Sequence, residues 1–235
     1  MRLKLLFISC CIVLVTACAE KRLAPVINAW HQPGAASRYY VVREGDTIYS
    51  IAFAFELDYR DIVLLNRLAP PYTVRVGERL AMPTKRASGE KLPVSNPTHF
   101  AKTPIETGQS SLATPIFHLP AKGRVIRNFS NSYNGNRGIE IHGHLGQPVR
   151  AAAGGQVVYS GAGIRGYGNL IIIKHGPHYL TAYAFNQRNR VHSGDFVSAG
   201  HVIAYMGHNA QGRAMLYFEI RRNGVPVNPM RLGPS

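Results

Sequence analysis

Near the end of the chain stands Arg213-Ala214-Met215-Leu216-Tyr217-Phe218-Glu219, a stretch that predicts a buried β-strand because its central residues are apolar and favour extended backbone. Similar short runs fill the chain from His118 onward, with glycines separating them at roughly 8–12 residues. The runs are Arg124–Arg127, Gly138–His142, Val149–Ala152, Gly155–Ser160, Leu170–His175, Tyr179–Phe185, His201–Tyr205 and Met215–Arg221. This spacing predicts an antiparallel sandwich or barrel-like sheet over residues 118–235, without a long helix.

A smaller unit with another pattern occupies residues 39–83. A β-favouring run, two helical faces and a closing strand follow one another, at Tyr39–Val42, then Ile48, Ile51, Ala52 and Phe55, then Ile62, Leu65 and Leu68, then Val76–Pro83. Asp46 or Thr47 is suited to cap the first helix, and Asp58 the second. The predicted fold class is therefore mostly β, with a small β-α-α-β module ahead of an antiparallel β domain.

The small unit resembles the LysM module. The resemblance rests on Tyr40-x-Val42-x-x-Gly45-Asp46-Thr47-Ile48-x-x-Ile51-Ala52, on Asn66, and on Val76-Gly77-x-x-Leu80-x-x-Pro83. It implies binding of N-acetylglucosamine-containing glycan, which in a periplasm is peptidoglycan. The implied glycan-binding residues are Gly45, Asp46, Thr47, Ile48, Asn66, Leu68, Ala69 and Pro70. The alternative is that these residues only cap, turn and pack.

Two segments of different composition flank this unit. Residues 19–38 show no sustained periodicity and contain Pro25, Pro33 and Gly34, which favours a tether. Residues 84–117 carry four prolines among Ser, Thr, Lys and Gly, which favours a flexible linker.

The first 18 residues have the features of a secretion signal. A short positive stretch, Met1–Lys4, precedes the apolar run Leu5–Val15, which is too short to span a bilayer. Val15-Thr16-Ala17-Cys18 resembles a bacterial lipobox, which implies lipidation of Cys18, and Ala at position 19 implies an outer-membrane anchor facing the periplasm. The alternative is an ordinary cleaved signal that contains a cysteine. All three cysteines lie in this segment, so the remaining chain has no thiol for disulfides or zinc.

The chain is strongly basic, with 27 Lys and Arg against 12 Asp and Glu and a formal net charge of +15. Such a balance favours anionic partners, such as lipid headgroups or an acidic protein surface. The basic residues are scattered, so we expect no nucleic-acid partner. A solvated basic surface is the alternative.

The β region resembles the LytM domain of M23 peptidases. Its matching blocks are Gly155–Tyr159, Gly166–Asn169, Ile173–Gly176, Gly194–Gly207 and Phe218–Pro229. Active members are zinc endopeptidases of peptidoglycan, with ligands in H-x-x-x-D and H-x-H. Carried over by position, the first ligand pair falls on Asn136 and Glu140, a catalytic His on Phe185, and the H-x-H pair on Met215 and Tyr217. A catalytic zinc site needs three protein ligands and an open position, and only Glu140 suits that role. The resemblance therefore implies no enzyme activity, no catalytic or metal-binding residues and no cofactor.

A different metal site is suggested by the spacing of Glu140, His142 and His144, which places all three on one side of an extended strand. Two imidazoles and a carboxylate are competent zinc ligands. Gly143 and the turn that begins at Gly146 favour a strand that ends here, with ordinary surface histidines instead.

The combination of lipobox, one LysM module and a LytM domain without its histidines resembles the NlpD-type murein hydrolase activator lipoproteins. The segment Arg165–His175 adds to this resemblance. It implies that the domain binds and activates a periplasmic N-acetylmuramoyl-L-alanine amidase during cell separation. The implied partner-binding residues line the vacant metal groove and a neighbouring loop, at Asn136, Glu140, Phe185, Met215 and Tyr217, and at Arg165, Tyr167 and Asn169. A passive peptidoglycan tether and a divergent zinc endopeptidase are the alternatives.

Overall fold

A computed structural model of the chain describes residues 39–83, 115–132 and 134–233. The predicted fold class is confirmed, because two short helices and two strands precede a large antiparallel sheet. The predicted signal segment with Cys18, the tether and residues 84–114 of the predicted linker lie outside the described residues.

The first module has the predicted β-α-α-β order, with β1 over Tyr39–Val41, α1 over Ile48–Ala54, α2 over Tyr59–Asn66 and β2 over Arg79–Ala81. Thr47 begins α1 because its hydroxyl accepts from the Ser50 amide while the Ser50 hydroxyl accepts from the Thr47 amide. Asp58 caps α2 by accepting from the amide of Arg60. In the described part of the chain, the helices are too short to cross a membrane.

The second domain is built from ten strands, namely β3 (Arg124–Arg127), β4 (Ile139–His142), β5 (Pro148–Arg150), β6 (Gly155–Gly161), β7 (Asn169–His175), β8 (Tyr179–Asn189), β9 (Phe196–Val197), β10 (Val202–Met206), β11 (Met215–Arg222) and β12 (Val225–Val227). The main sheet has the order β3-β4-β11-β8-β7-β6-β9, while β10 joins β5 to β8 and β12 pairs with β11. A short 3-10 helix over Pro229–Arg231 follows the last strand.

Strand β8 is longer than the sequence predicts, since it continues from Phe185 to Asn189. Residues 186–190 are all polar, so their composition does not signal a strand. They are extended because β10 pairs with them, with Tyr205 opposite Arg188 and Ala204 opposite Asn189.

Strand β11 has two different faces, as the period-two alternation of a strand requires. Leu216, Phe218 and Ile220 point into the main core, where Phe218 packs against Tyr183 with ring centres 5.3 Å apart. Met215, Tyr217, Glu219 and Arg221 lie on the opposite side of the sheet, which we call the Tyr217 face.

His175 makes the stability of the β domain sensitive to pH. Its ring nitrogens lie 2.7 Å from the Gly154 carbonyl and 2.7 Å from the Thr181 hydroxyl, and burial lowers its pKa from 6.5 to about 4. The neutral ring is favoured in the folded state, so its contribution is complete above pH 6.5 and is lost as the pH falls toward 4. We expect unfolding free energy to fall by about 3 kcal/mol over this range.

Denaturant unfolding at pH 7.5 and at pH 4 measures this loss. The variant His175→Gln should show a smaller difference between the two conditions, whereas the exposed His201→Gln should behave as the parent protein does. An unchanged pH dependence in His175→Gln would refute the assignment.

Candidate partner-binding face

Four of the residues predicted to bind a partner come together on the Tyr217 face. The ring of Tyr217 lies 5.7 Å from that of Tyr167 and 6.4 Å from that of Phe185, with both pairs edge-to-face. Met215 is buried in the same cluster. The face is therefore an aromatic surface with a thioether beneath it.

Phe185 is held in an unusual backbone conformation, with φ at 63°. Its amide donates to the Tyr167 carbonyl at 2.9 Å, and its carbonyl accepts from the Gly207 amide at 2.9 Å. These bonds stabilise a left-handed backbone that costs energy in a bulky residue. They place the Phe185 ring beside Tyr217.

Glu140 borders the face, whereas the contacts of Asn136 are with the backbone before β4. Glu140 lies opposite Tyr217 in the β4–β11 pairing, and its carboxylate accepts from Arg127 at 3.2 Å. The Asn136 amide donates to the Gly138 carbonyl at 2.8 Å and to that of Asn128 at 3.4 Å. Asn136 thus stabilises the loop that leads into β4.

The remaining predicted residues lie at the start of β7 and on the loop before it, with Asn169 as the first residue of the strand. The Asn169 amide donates to the carbonyls of Asn186 and Gln187 at 3.1 and 3.0 Å, which ties this loop to β8. Arg165 is exposed. Contact of any of these eight residues with a partner remains a prediction.

Three side chains of β11 form a hydrogen-bonded chain across the face. The Tyr217 hydroxyl donates to Glu219 Oε2 at 2.6 Å, and Arg221 Nε donates to Glu219 Oε1 at 2.5 Å. Burial, followed by the nearby Glu219 carboxylate, raises the pKa of Tyr217 well above its ordinary value. Tyr217 is therefore a neutral phenol that donates a hydrogen bond, which is a poor ligand for a metal ion.

The histidines near β4 make separate contacts. His142 Nδ1 lies 3.1 Å from the Ala214 carbonyl, and His144 Nδ1 lies 3.3 Å from the Leu145 carbonyl. Across residues 39–83, 115–132 and 134–233, no three His, Cys, Asp or Glu side chains converge as metal ligands do. The geometry of the described residues therefore gives no support to a metal site at Glu140, His142 and His144.

The first module packs on the Tyr217 face through Phe53 of α1. Phe53 is 2% exposed and belongs to the cluster that contains Met215 and Tyr217, whereas α1 residues such as Ile51 pack inside the module. Its ring lies 5.3 Å from that of Tyr167, and the Arg221 guanidinium carbon lies 3.9 Å from the ring centre. A buried cation–π contact of this kind contributes about 2 kcal/mol.

Polar contacts surround this apolar centre. Arg221 Nη1 donates to the Phe53 carbonyl at 2.9 Å, and the Thr47 hydroxyl donates to the Val158 carbonyl at 3.1 Å. Arg137 Nε lies 3.5 Å from a carboxylate oxygen of Glu56. At the far side, Arg60 Nη2 donates to Asn223 Oδ1 at 2.7 Å.

The residues predicted to bind glycan have mixed roles. The Asp46 carboxylate accepts from the Tyr40 hydroxyl at 2.7 Å and from the Arg43 amide at 2.8 Å, and Ile48 is 1% exposed in the module core. Gly45, Ala69 and Pro70 are exposed, while Thr47 and Leu68 are half-buried. The exposed residues leave a surface on these two loops, and their contact with glycan remains a prediction.

Asn66 joins the second helix to the closing strand. Its amide nitrogen donates to the carbonyls of Ile62 and Ala81 at 2.8 Å each, and its oxygen accepts from the Ala81 amide at 2.7 Å. Replacing Asn66 with Ala should lower the unfolding free energy of this module by about 1–3 kcal/mol, since backbone groups lose their partners. Denaturant unfolding measures the loss, with the exposed Leu65→Ala as the control. A fully stable Asn66→Ala variant that no longer binds sacculi would instead place Asn66 in contact with glycan.

Three residues of this site, Phe53, Glu219 and Arg221, were not predicted from the sequence. Glu219 and Arg221 continue the period-two series that starts at Met215, so the alternation alone contains the signal. Phe53 is a large aromatic residue outside the predicted helical face of α1, and such a position indicates an external contact.

Comparison with known families supports the division into two units. Residues 40–83 match the LysM domain family, and residues 134–229 match Peptidase family M23. The class of protein is thus a LysM module joined to an M23-type β domain.

Relatives of known sequence narrow this class. The chain is 40% identical to the lipoprotein NlpD/LppB homolog of Pseudomonas aeruginosa, over 86% of this chain and 81% of that protein. It is 37% identical to the uncharacterized lipoprotein YgeR of Escherichia coli, over 83% of this chain and 80% of that one. It is 34% identical to the murein hydrolase activator NlpD of Escherichia coli, over 83% and 68% respectively. The chain belongs to the NlpD family of lipoproteins.

Solved structures with a similar β domain include Helicobacter pylori Csd3, with a TM-score of 0.47 and 24% identity over 51% of this chain and 35% of that one. The catalytic domain of lysostaphin from Staphylococcus simulans has a TM-score of 0.41 and 24% identity, over 47% of this chain and 90% of that one.

Proposed function

We propose that this protein is a non-catalytic lipoprotein of the outer membrane, facing the periplasm, that binds peptidoglycan and activates a periplasmic N-acetylmuramoyl-L-alanine amidase during cell separation. The observation that carries the proposal is the composition of the Tyr217 face, where Met215 and Tyr217 are buried on β11. The sequence resemblance assigns to these two residues the positions of the H-x-H pair of M23 peptidases. Relatives at 34% identity named murein hydrolase activators support it.

The chemistry of these positions argues against hydrolysis. The Tyr217 phenol donates to Glu219, and the Met215 sulfur accepts from the Asn209 amide at 3.3 Å. Neither side chain is an imidazole that could ligate zinc or accept a proton as a general base. Glu140, the one good oxygen ligand among the corresponding positions, is paired with Arg127.

The same face has the composition of a protein-binding surface. Tyr, Met and Arg are enriched where protein interfaces derive their affinity, and Phe185, Tyr167 and Tyr217 supply rigid aromatic area here. The amidase is therefore expected to bind this face, with Arg165 and Glu140 at its border.

The envelope location and the wall contact rest on other parts of the chain. Relatives are named lipoproteins, which supports anchoring to a membrane of the cell envelope, and we assign the lipid to Cys18 and the membrane to the outer one. The LysM match supports peptidoglycan as the ligand of residues 39–83. We divide the chain into a signal at 1–18, a tether at 19–38, the LysM module, a linker at 84–117 and the M23-type domain at 118–235.

Release of dye from labelled sacculi tests the function. The protein alone should release no dye, the amidase alone should release little, and the two together should release it faster. Binding to sacculi without stimulation of any periplasmic amidase would indicate a passive tether. Release by the protein alone, together with stoichiometric zinc, would indicate a divergent endopeptidase.

A further inference from the structure

The LysM module lies on the same face that would receive the amidase. Phe53 of α1 inserts among Tyr167, Tyr217 and Arg221, and the half-buried Tyr49 and Ala54 of the same helix pack beside it. A partner protein that contacts the aromatic rings of this face would meet the LysM module there first. The two contacts therefore exclude each other.

The fit between module and face is specific. The side chains of Glu219 and Arg221 are 0% and 2% exposed. The Arg221 guanidinium donates one hydrogen bond to Glu219 and another to the carbonyl of Phe53. Buried charges are tolerated where their hydrogen-bonding groups are satisfied, and here the α1 backbone satisfies one of them. Gly224 completes the fit, because a Cβ at that position would lie 2.6 Å from the Asp58 amide nitrogen.

Glycan binding is linked to the same contact through Thr47. Thr47 lies in the loop assigned to glycan, and its hydroxyl donates to the Val158 carbonyl of β6. A glycan that takes the Thr47 hydroxyl would remove this bond and would also place sugar rings beside β6.

We propose that the LysM module is an intramolecular cover of the Tyr217 face, and that peptidoglycan glycan bound at the Thr47 loop displaces it and so admits the amidase. The proposal rests on the function proposed above and adds its regulation: the protein activates the amidase only where it is in contact with the cell wall. The apparent affinity for the amidase is lowered by the fraction of molecules that are covered.

The affinity of the protein for the amidase, measured in the absence of sacculi, tests this proposal directly. Phe53→Glu places a charge in the apolar contact and should raise the affinity for the amidase about tenfold, because the covered state is lost. Leu64→Glu makes the same charge change on α2, where the residue is 66% exposed and outside the contact, and should leave the affinity unchanged. A β-1,4-linked N-acetylglucosamine hexamer should raise the affinity of the parent protein and have no effect on Phe53→Glu.

A charge exchange at the border provides a second variant that leaves the apolar core intact. Glu56→Arg places a second positive charge beside Arg137 and should separate the LysM module from the β domain. Combining Glu56→Arg with Arg137→Glu restores an opposite-charge pair and should restore the contact between the two units. Small-angle X-ray scattering should show a larger radius of gyration for Phe53→Glu and Glu56→Arg than for the parent and the double variant.

Two results would overturn the cover. Equal affinities of the parent and Phe53→Glu for the amidase would refute it while leaving the proposed activation intact. Equal radii of gyration in all variants would refute the covered state itself. Absence of amidase binding by every variant would refute the activation and, with it, the regulation.

Discussion

Replacing Arg221 with Met is expected to lower the unfolding free energy by about 3–5 kcal/mol, the usual cost of leaving a buried charge without its partner. Glu219 has a side chain with 0% exposure, and its two oxygens are satisfied by Arg221 Nε and the Tyr217 hydroxyl. Methionine keeps the apolar stem of arginine but leaves one carboxylate oxygen without a donor. Denaturant unfolding at pH 7 measures the loss.

A double variant separates charge from packing. Glu219→Gln combined with Arg221→Met removes both charges and keeps an acceptor for Tyr217, so most of the lost stability should return, because replacing a whole buried pair is close to neutral. If Arg221→Met is as stable as the parent protein, the Glu219 carboxylate is solvated and the geometry described for this chain is wrong.

Replacing Phe185 with Asn is expected to reduce amidase stimulation about tenfold or more, the effect of removing an aromatic hot spot from an interface. Asparagine tolerates the left-handed backbone at this position better than most residues other than glycine do, so the loop and strand remain in place. The stimulated rate of dye release, measured over a range of protein concentrations, gives the loss.

Tyr205→Asn is the matched control for this experiment. Tyr205 is also a half-buried aromatic residue of the β domain, but it lies on β10 and packs against Arg188 and Arg190 rather than on the Tyr217 face. The Tyr205→Asn variant should stimulate the amidase as strongly as the parent protein does. Equal stimulation by Phe185→Asn and the parent would remove this face from the amidase contact.

Much of the fold follows from patterns that operate within one segment. Alternation along β11 places Met215 and Tyr217 on one side, and the capping residues Thr47 and Asp58 begin the two helices where the sequence predicts them. These features depend on neighbours a few residues apart, which a sequence displays directly.

The contacts that were not predicted join distant parts of the chain. Phe53 and Arg221 are 168 residues apart, and no local periodicity relates them. The left-handed backbone at Phe185 likewise depends on backbone hydrogen bonds with Tyr167 and Gly207, which lie on separate loops. Asn136 and Asn66 were predicted to bind a partner and a glycan, but their side chains form hydrogen bonds with the local backbone. The sequence does not distinguish such a structural role from a binding role.

Muropeptide composition tests the central claim, that the M23-type domain acts on an amidase and not on peptidoglycan. Sacculi are incubated with the protein, with the amidase, and with both, and the products are separated and identified by mass. Activation of an amidase predicts stem peptides freed from glycan when both proteins are present, and unchanged cross-linked muropeptides with the protein alone. Conversion of cross-linked dimers to monomers by the protein alone would contradict it.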